Sequence, residues 1–414
     1  MTLPRLLAGA RHGEGLALDE HLAVHGPAAP VGRELVEAVE LAGLRGRGGA
    51  SFPTAVKLRS VATRRGSHSI LVNGAEGEPM SAKDRVLLEL APHLVLDGAF
   101  AAAAAIGADR VVIAIRADSG GALASVRQAL AERPRSRAVT VARIPAAYLA
   151  GEESALIQYL DGGPLVPRTV PPLPFERGLR RRPTLVQNPE TLAHVALIAR
   201  RGSAWFREVG TGAHPGSALV SVSGAVLRPG VQEIECGMPL DAVLSAAGGV
   251  TESIRAVLIG GYHGAWIPRD RVPSVRLDDD HLVHHGGSLA AGVIVVLGES
   301  ACPAAELADT MAWLANESAH QCGPCSNGLP AMADLLASMV AGRGPQDGRE
   351  WLARWSGQIT GRGACHLPDG AMRFLGTGLA VFADEIADHE QRGPCAACLR
   401  PRTLELPARH RIAA

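Results

Sequence analysis

The chain reads as an α/β protein in three successive units, a three-layer α/β domain, then a β-grasp (ubiquitin-like) module, then a C-terminal helical bundle. Three observations predict this. The runs SILVNG, DRVVIAIR and AVTVARI are short, apolar and rich in β-branched residues, with helical stretches between them, the pattern of a sheet covered by helices. After about residue 215 the composition shifts to strand, turn and strand in SALVSVSGAVLRPGVQEIECG, a short helix in MPLDAVLSAAGG and a strand pair in RAVLIGGYHGAWI, an order that fits a β-grasp module. From Ala304 onward AELADTMAWLANES, GLPAMADLLASMVAG, GREWLARWSGQI and GAMRFLGTGLAVFADEIADH carry helical period with short connections.

Residues 1–30 are polar and broken by Pro and Gly, and are read as an N-terminal extension. RELVEAVELAGL is a helix running straight into the loop GLRGRGGASFPT, after which Lys57 lies at a helix start. The strand SILVNG leads into NGAEGEP, and DRVLLELAPHLVLDGAFAAAAAIGA and GALASVRQALAE are helical. Residues 162–183 are rich in Pro and Arg and read as extended, and PTLVQNPETLAHVALIARRG returns to helix. The expected units are 31–215, 216–300 and 301–390, with 391–414 a loose tail.

A length of 414 residues exceeds one ordinary core, and 47% hydrophobic residues supply ample material for several. Lys and Arg balance Asp and Glu at 41 each, so net charge offers no reason to expect nucleic acid or an anionic membrane as partner. The start lacks the apolar core of a signal peptide, and stretches such as GAFAAAAAIGA fall short of the roughly 20 residues that span a bilayer. The expectation is a cytoplasmic protein with no direct membrane span. Seven clustered cysteines are too few for a disulfide scaffold in a chain this long, which makes metal ligation the leading reading.

Scarce residues mark the sites. Only two lysines occur, Lys57 and Lys83, in a chain that otherwise uses Arg for positive charge, and only four asparagines, Asn73, Asn188, Asn316 and Asn327. Gly43 to Thr54 places Gly46, Gly48 and Gly49 where backbone amides can approach a phosphate, although Ser51 at the last glycine position excludes a dinucleotide fingerprint. Asn73, Glu76 and Glu78 leave a strand end, where an amide and two carboxylates can read a polar ring edge. AAYLAGEESAL pairs Glu152 and Glu153 at a helix start, whose dipole favours negative charge. Gln187, Asn188 and Thr191 in PTLVQNPETL are neutral hydrogen-bonding groups suited to a sugar-alcohol chain.

These four motifs in this order, then the β-grasp segment, then ESAHQCGPCSNG, resemble the flavin- and NADH-binding subunit of respiratory complex I and its relatives in bacterial NADH-linked dehydrogenases and hydrogenases, over about residues 35–390. The resemblance implies an FMN- and NAD(P)H-binding first domain, a soluble-ligand-binding second module and a [4Fe-4S] cluster in the third. It implies that Gly46, Gly48, Gly49, Lys57, Asn73, Tyr148, Gly151, Glu152, Glu153, Asn188 and Thr191 line the flavin site and that Phe52 and Glu78 face the nicotinamide nucleotide. Glu152 and Glu153 are the candidates for the catalytic centre, as groups that position flavin and nucleotide, since hydride transfer needs no side-chain acid. The implied activity is oxidation of NAD(P)H through FMN and an iron-sulfur site to a ferredoxin-like partner within a complex.

The chain departs from that family in places. Ala319 stands at the first cysteine position of the cluster motif, leaving Cys322, Cys325 and Cys365 as three thiolate ligands. A [4Fe-4S] cluster takes four protein ligands as a rule, and the fourth is open between His320, His366, the Cys395/Cys398 pair, solvent and nothing. A zinc site of Cys₃His type built from Cys322, Cys325, Cys365 and His366 is the competing reading, and an empty region the third. Val170 and Leu173 stand where the family has Lys and an aromatic residue near the adenine, and NGAEGEP is closer to the ferredoxin:NAD oxidoreductase branch. The rival to an enzyme is a non-catalytic binding or assembly module that kept the fold. Cys236 and Cys302 read as ordinary buried thiols.

Overall fold

The computed structural model describes residues 3–11, 13–133 and 138–407. Four parallel strands, β1 (His68–Gly74), β2 (Ala108–Arg116), β3 (Ala138–Ile144) and β4 (Thr184–Gln187), form the first sheet in the order β3-β2-β1-β4. Alternate residues divide between two cores. Ile70, Val72, Val111, Ile113 and Ile115 pack with the helices Pro92–Ile106 and Pro189–Phe206. Leu71, Val112 and Ala114 pack on the opposite face with Ala155, Leu156 and Ile157 of the helix Glu153–Leu160. Burial on both faces is why these strands read as continuous apolar runs.

The strand β4 differs from the sequence expectation, which placed residues from Pro183 in a helix. Thr184–Gln187 instead pairs with Ser69–Val72 of β1, and the helix begins only at Pro189, where the Asn188 side chain accepts the Thr191 amide at 3.1 Å. The helices Pro92–Ile106 and Pro189–Phe206 approach so closely at Gly98 that a Cβ there would lie 1.8 Å from the Leu192 carbonyl oxygen. Gly98→Ala is therefore expected to cost about 2 kcal/mol, as overpacking between rigid backbones does, read as a lower midpoint in urea unfolding. An unchanged midpoint would show that the two helices slide apart freely.

The second sheet holds β5 (Ser217–Gly224), β6 (Gly230–Glu235), β7 (Ile254–Ile259), β8 (Ala265–Pro268) and β9 (Val293–Gly298) in the order β6-β5-β9-β7-β8. β5 and β9 run parallel at its centre, and the remaining pairs are antiparallel. The helix Leu240–Ala246 covers one face through Leu240, Val243 and Leu244. The other face, with Ala256, Leu258, Val293, Val295 and Leu297, packs against the C-terminal helices Pro303–Glu317, Leu329–Val340 and Leu367–Val381. Helices Gly348–Ile359 and Ala383–Arg392 complete that last unit.

The described parts of both terminal segments pack more closely than their composition predicts, residues 408–414 of the expected tail lying outside the described residues. Leu6 is fully buried, and in the helix Leu18–His25 the buried His21 meets Asp97 at 2.7 Å, a carboxylate also paired with Arg133 and Arg200. The segment after Gln391, expected to be loose, packs back: Leu404 is buried, the amides of Thr403 and Leu404 donate to Glu306, and the Tyr262 hydroxyl donates to the Glu405 carbonyl. Among the described residues no single helix is long and apolar enough to cross a membrane.

Candidate functional site

A cavity of about 760 Å³ opens between the two sheets at the carboxyl ends of β1 and β4, the position where open α/β sheets take ligands. Its walls come from all three units. Arg47–Ala50, Asn73, Glu76–Glu78, Tyr148, Gly151, Glu152 and Asn188 line it from the first. Gly260, His263 and parts of 283–291 line it from the second, and Cys365–Leu367, Asp369, Gly370 and Arg373 from the third.

Of the residues singled out from the sequence, Gly48, Gly49, Asn73, Glu76, Glu78, Lys83, Tyr148, Gly151, Glu152, Asn188, Cys365 and His366 meet at this cavity. The others do not line it. The Gly46 amide is spent on the Phe52 carbonyl, and Phe52 itself is 45% exposed. The Thr191 hydroxyl accepts the Arg47 amide at 2.9 Å and so ties the glycine loop to the helix Pro189–Phe206. Gln187 is buried in β4, and Lys57 forms a half-exposed pair with Glu153 at 3.1 Å.

The loop following β1 is held by its own side chains. Asn73 donates to the Gly151 carbonyl at 2.9 Å and accepts the Ala75 amide at 3.2 Å, joining two cavity loops. Those loops lie so close that a Cβ at Gly77 would sit 2.3 Å from the Tyr148 carbonyl oxygen. Glu76 accepts from the Ser81 hydroxyl and the amides of Asp84 and Arg85, so its carboxylate anchors the start of the helix Lys83–Leu90. Glu152 caps the helix Glu153–Leu160, accepting the amides of Ser154 and Ala155 at 3.1 and 2.7 Å.

Lys83 is not a free cation. Its ammonium lies 3.0 Å from Asp84 and 2.8 Å from Glu190, all three buried. Burial works against its charge, but Asp84, Glu190 and Glu76 outweigh that and move its pKa upward. The cluster fastens the two sheets together, since Glu190 also accepts the Leu219 amide of β5 at 2.8 Å. Arg47 adds a bond to the Ser217 carbonyl at 3.1 Å, and Ser51, at φ 50, donates to Asp279.

Glu78 is the carboxyl group with capacity to spare. It is buried, accepts the Tyr262 amide at 2.9 Å and meets the Tyr148 hydroxyl at 3.5 Å, while its second oxygen has no partner among the described residues. Burial raises its pKa to about 7. Beside it His263 is held neutral by burial, which lowers its pKa to about 4, and its Nε2 likewise finds no described partner. Tyr148 stands edge-on to His263 and Trp313, with ring centroids 5.2 and 5.4 Å apart.

Cys365 lies between this cavity and a second group of thiols. Cys322 and Cys325 sit around the π-helical turn Pro324–Gly328, a local irregularity common at functional sites, and interact with each other and with Cys365. Among the described residues these three thiols do not form a group whose ligand atoms all lie within 4.8 Å of one another. The proposed zinc set with His366 is not assembled, because the His366 ring is 99% exposed beside Asp369. Cys395 and Cys398 do not supply a fourth ligand here either; they meet Cys302 and His389 instead.

Sequence reasoning missed the walls from the second and third units. Gly260 and Gly261, with φ of 93 and 76, form a turn after β7 that brings His263 to the cavity, and the signal was the glycine spacing in GGYHGAW. The stretch 283–291 and the residues following Cys365 carry no motif that points to them.

The lining fits a flavin nucleotide. Glycines without Cβ atoms leave room, the amides of Gly48 and Gly49 find no partner among the described residues, and Glu78 and His263 hold unsatisfied polar atoms at the wall. Comparison with known proteins points the same way. Residues 39–197 match the family described as Nuo51 FMN-binding domain, 219–259 the SLBB domain, and 305–389 the NADH-ubiquinone oxidoreductase-F iron-sulfur binding region. The F 2 subunit of NADH-quinone oxidoreductase in Rhizobium meliloti is 35% identical over 379 residues, spanning 87% of this chain and 90% of the relative. The F subunit of NADH-quinone oxidoreductase in Streptomyces coelicolor is 31% identical over 86% of this chain and 83% of its own length. The solved structure of an NAD⁺-reducing [NiFe]-hydrogenase in the air-oxidized state superposes with a TM-score of 0.85 at 30% identity, over 96% of this chain and 70% of that one. Its H₂-reduced state gives a TM-score of 0.83 at 31% identity. Motifs, cavity and near full-length similarity together establish that the chain belongs to the family of NADH-quinone oxidoreductase F subunits.

Proposed function

We propose that the chain is the electron-entry subunit of a multi-subunit oxidoreductase, taking electrons from NAD(P)H through FMN to an iron-sulfur centre and a ferredoxin-like redox subunit. The observation that carries this is Cys365, which lines the nucleotide-sized cavity and lies close enough to Cys322 for the two thiols to interact electrostatically. FMN bound there converts a two-electron hydride donor into a source of single electrons.

The chain's own residues supply position and polarity. Gly48, Gly49, Asn73, Tyr148, Gly151, Glu152 and Asn188 would hold the flavin. Gly46, Lys57, Gln187 and Thr191 support that lining from behind, and Glu76 anchors its loop. Glu152 and Glu153 act as positioning groups, because Glu152 is engaged by helix amides and Glu153 by Lys57. Glu78 in the wall and the exposed Phe52 would face the nicotinamide nucleotide. Cys322, Cys325 and Cys365 are the cluster ligands from this chain.

The domain reading follows the same lines. In the second sheet the parallel pairing of β5 with β9 at the centre supports a β-grasp module over 216–300, after a flavin-binding domain over 31–215. The helices that follow support an iron-sulfur-binding bundle over 301–390.

The test is an anaerobic preparation reconstituted with FMN, iron and sulfide. The expected result is a flavin spectrum with a broad iron-sulfur shoulder, both bleached by NADH. Gly48→Val, which fills the cradle beside Asn188, is expected to weaken FMN binding at least about tenfold, while Cys322→Ser with Cys365→Ser removes the shoulder and keeps flavin bleaching. Protein that takes up no FMN, or holds FMN that NADH does not bleach, would be a fold kept for binding alone.

A further inference from the structure

A second thiol group lies apart from the flavin cavity and from Cys322, Cys325 and Cys365. Cys302 caps the helix Pro303–Glu317, His389 sits in the last turn of the helix Ala383–Arg392, and Cys395 and Cys398 follow on a tight turn. Their four ligand atoms all lie within 4.8 Å of one another. The Cys302 sulfur is 3.4 Å from both His389 Nε2 and the Cys398 sulfur, and the Cys395 and Cys398 sulfurs are 3.8 Å apart.

We propose that Cys302, His389, Cys395 and Cys398 form a structural zinc site, distinct from the iron-sulfur centre. The donor set is the Cys₃His of closed tetrahedral sites, with C-x-x-C supplying two adjacent corners. Second-sphere bonds orient the ligands as such sites require. The His389 Nδ1–H donates to the Val340 carbonyl at 2.9 Å, which turns Nε2 toward the sulfurs. The Ala305 amide donates to the Cys302 sulfur at 3.4 Å, a bond that strengthens when the sulfur is a thiolate. Four protein ligands leave no open position for substrate, so the role is structural. The sulfurs sit at single-ion spacing, whereas Cys322, Cys325 and Cys365 do not.

The ion would pin the segment after Gly393 to the body, and that segment backs the cavity wall. Tyr262, whose hydroxyl bonds to Glu405, and Trp313, whose indole donates to the Pro407 carbonyl at 2.9 Å, both pack in the aromatic group behind Tyr148. Loss of the ion therefore frees a strap that supports the site without touching the cavity itself.

Elemental analysis of the full chain after anaerobic purification tests this. Expected are about one zinc per chain in the parent protein, the same zinc and lost iron in Cys322→Ser/Cys365→Ser, and lost zinc with retained iron in Cys395→Ser/Cys398→Ser, whose tail becomes an early site of proteolysis. Iron in place of zinc in Cys322→Ser/Cys365→Ser would assign the group to iron chemistry and overturn the proposal. So would metal-free parent protein with a Cys395–Cys398 disulfide found by mass spectrometry. Should Cys395→Ser/Cys398→Ser fail to fold, zinc-edge X-ray absorption on the parent decides, with three sulfurs at about 2.3 Å and one nitrogen at about 2.0 Å expected. An oxygen-dominated shell would overturn it.

Discussion

Lys83→Met is expected to destabilise the chain by about 3–5 kcal/mol, because it leaves buried carboxylates without their counter-charge. Asp84 and Glu190 both pair with Lys83 inside the protein, and Glu76 adds a third negative group nearby. Arg47, 3.8 Å from Glu190, cannot by itself balance three carboxylates. Lys83→Arg is not expected to rescue the loss, since the lysine stem passes against Gly292 in a space cut for a single ammonium. Urea unfolding monitored by far-ultraviolet circular dichroism gives the answer. A loss below about 1 kcal/mol would mean that water reaches these groups and that the cluster is not the clamp between the sheets.

The second large effect is a pH dependence from Glu78. Its carboxyl titrates at about 7 in the fold against 4.5 ordinarily, through burial that the Tyr262 and Met80 amides and the Tyr148 hydroxyl offset only in part. A raised pKa means that the folded state prefers the protonated form. That stability is complete below pH 4.5 and is lost as pH rises through 7, a total of about 3 kcal/mol for the flavin-free protein. Glu78→Gln is neutral throughout, so it should match the parent near pH 4 and exceed it by up to about 3 kcal/mol at pH 8. Parallel stability curves for the two proteins across that range would show that Glu78 stays ionised and hydrated.

Much of the first unit was legible because its signals are local. Strands β1 to β3 announce themselves as β-branched runs, and the glycine loop and the Asn73 and Glu152 motifs sit at strand and helix ends where ligands bind. The four residues of β4 were lost in a longer helical pattern, since so short a run carries no period of its own. The scarcity of lysine drew attention to Lys83 but not to its buried ion pairs, because its partner Glu190 comes from a helix far along the chain. The Cys₃His group escaped for the same reason. Cys302 looks like a core thiol, and the Cys395/Cys398 pair, though a metal-binding candidate by its spacing, shows no partners until three stretches meet in space. The cavity walls contributed by His263, 283–291 and Arg373 have no motif, because they are defined only by what they face.

The bond from Tyr262 to Glu405 has a consequence for biosynthesis. Its two ends leave the ribosome far apart in time, Tyr262 before the second sheet is finished and Glu405 only after both sheets and the five C-terminal helices have been made. The back of the cavity is thus the last part of the described protein to close, and a nascent or truncated chain lacking Glu405 presents a wall still unbraced. Cofactor loading that requires the finished wall would then follow translation, making retained flavin a record that the strap has been laid down.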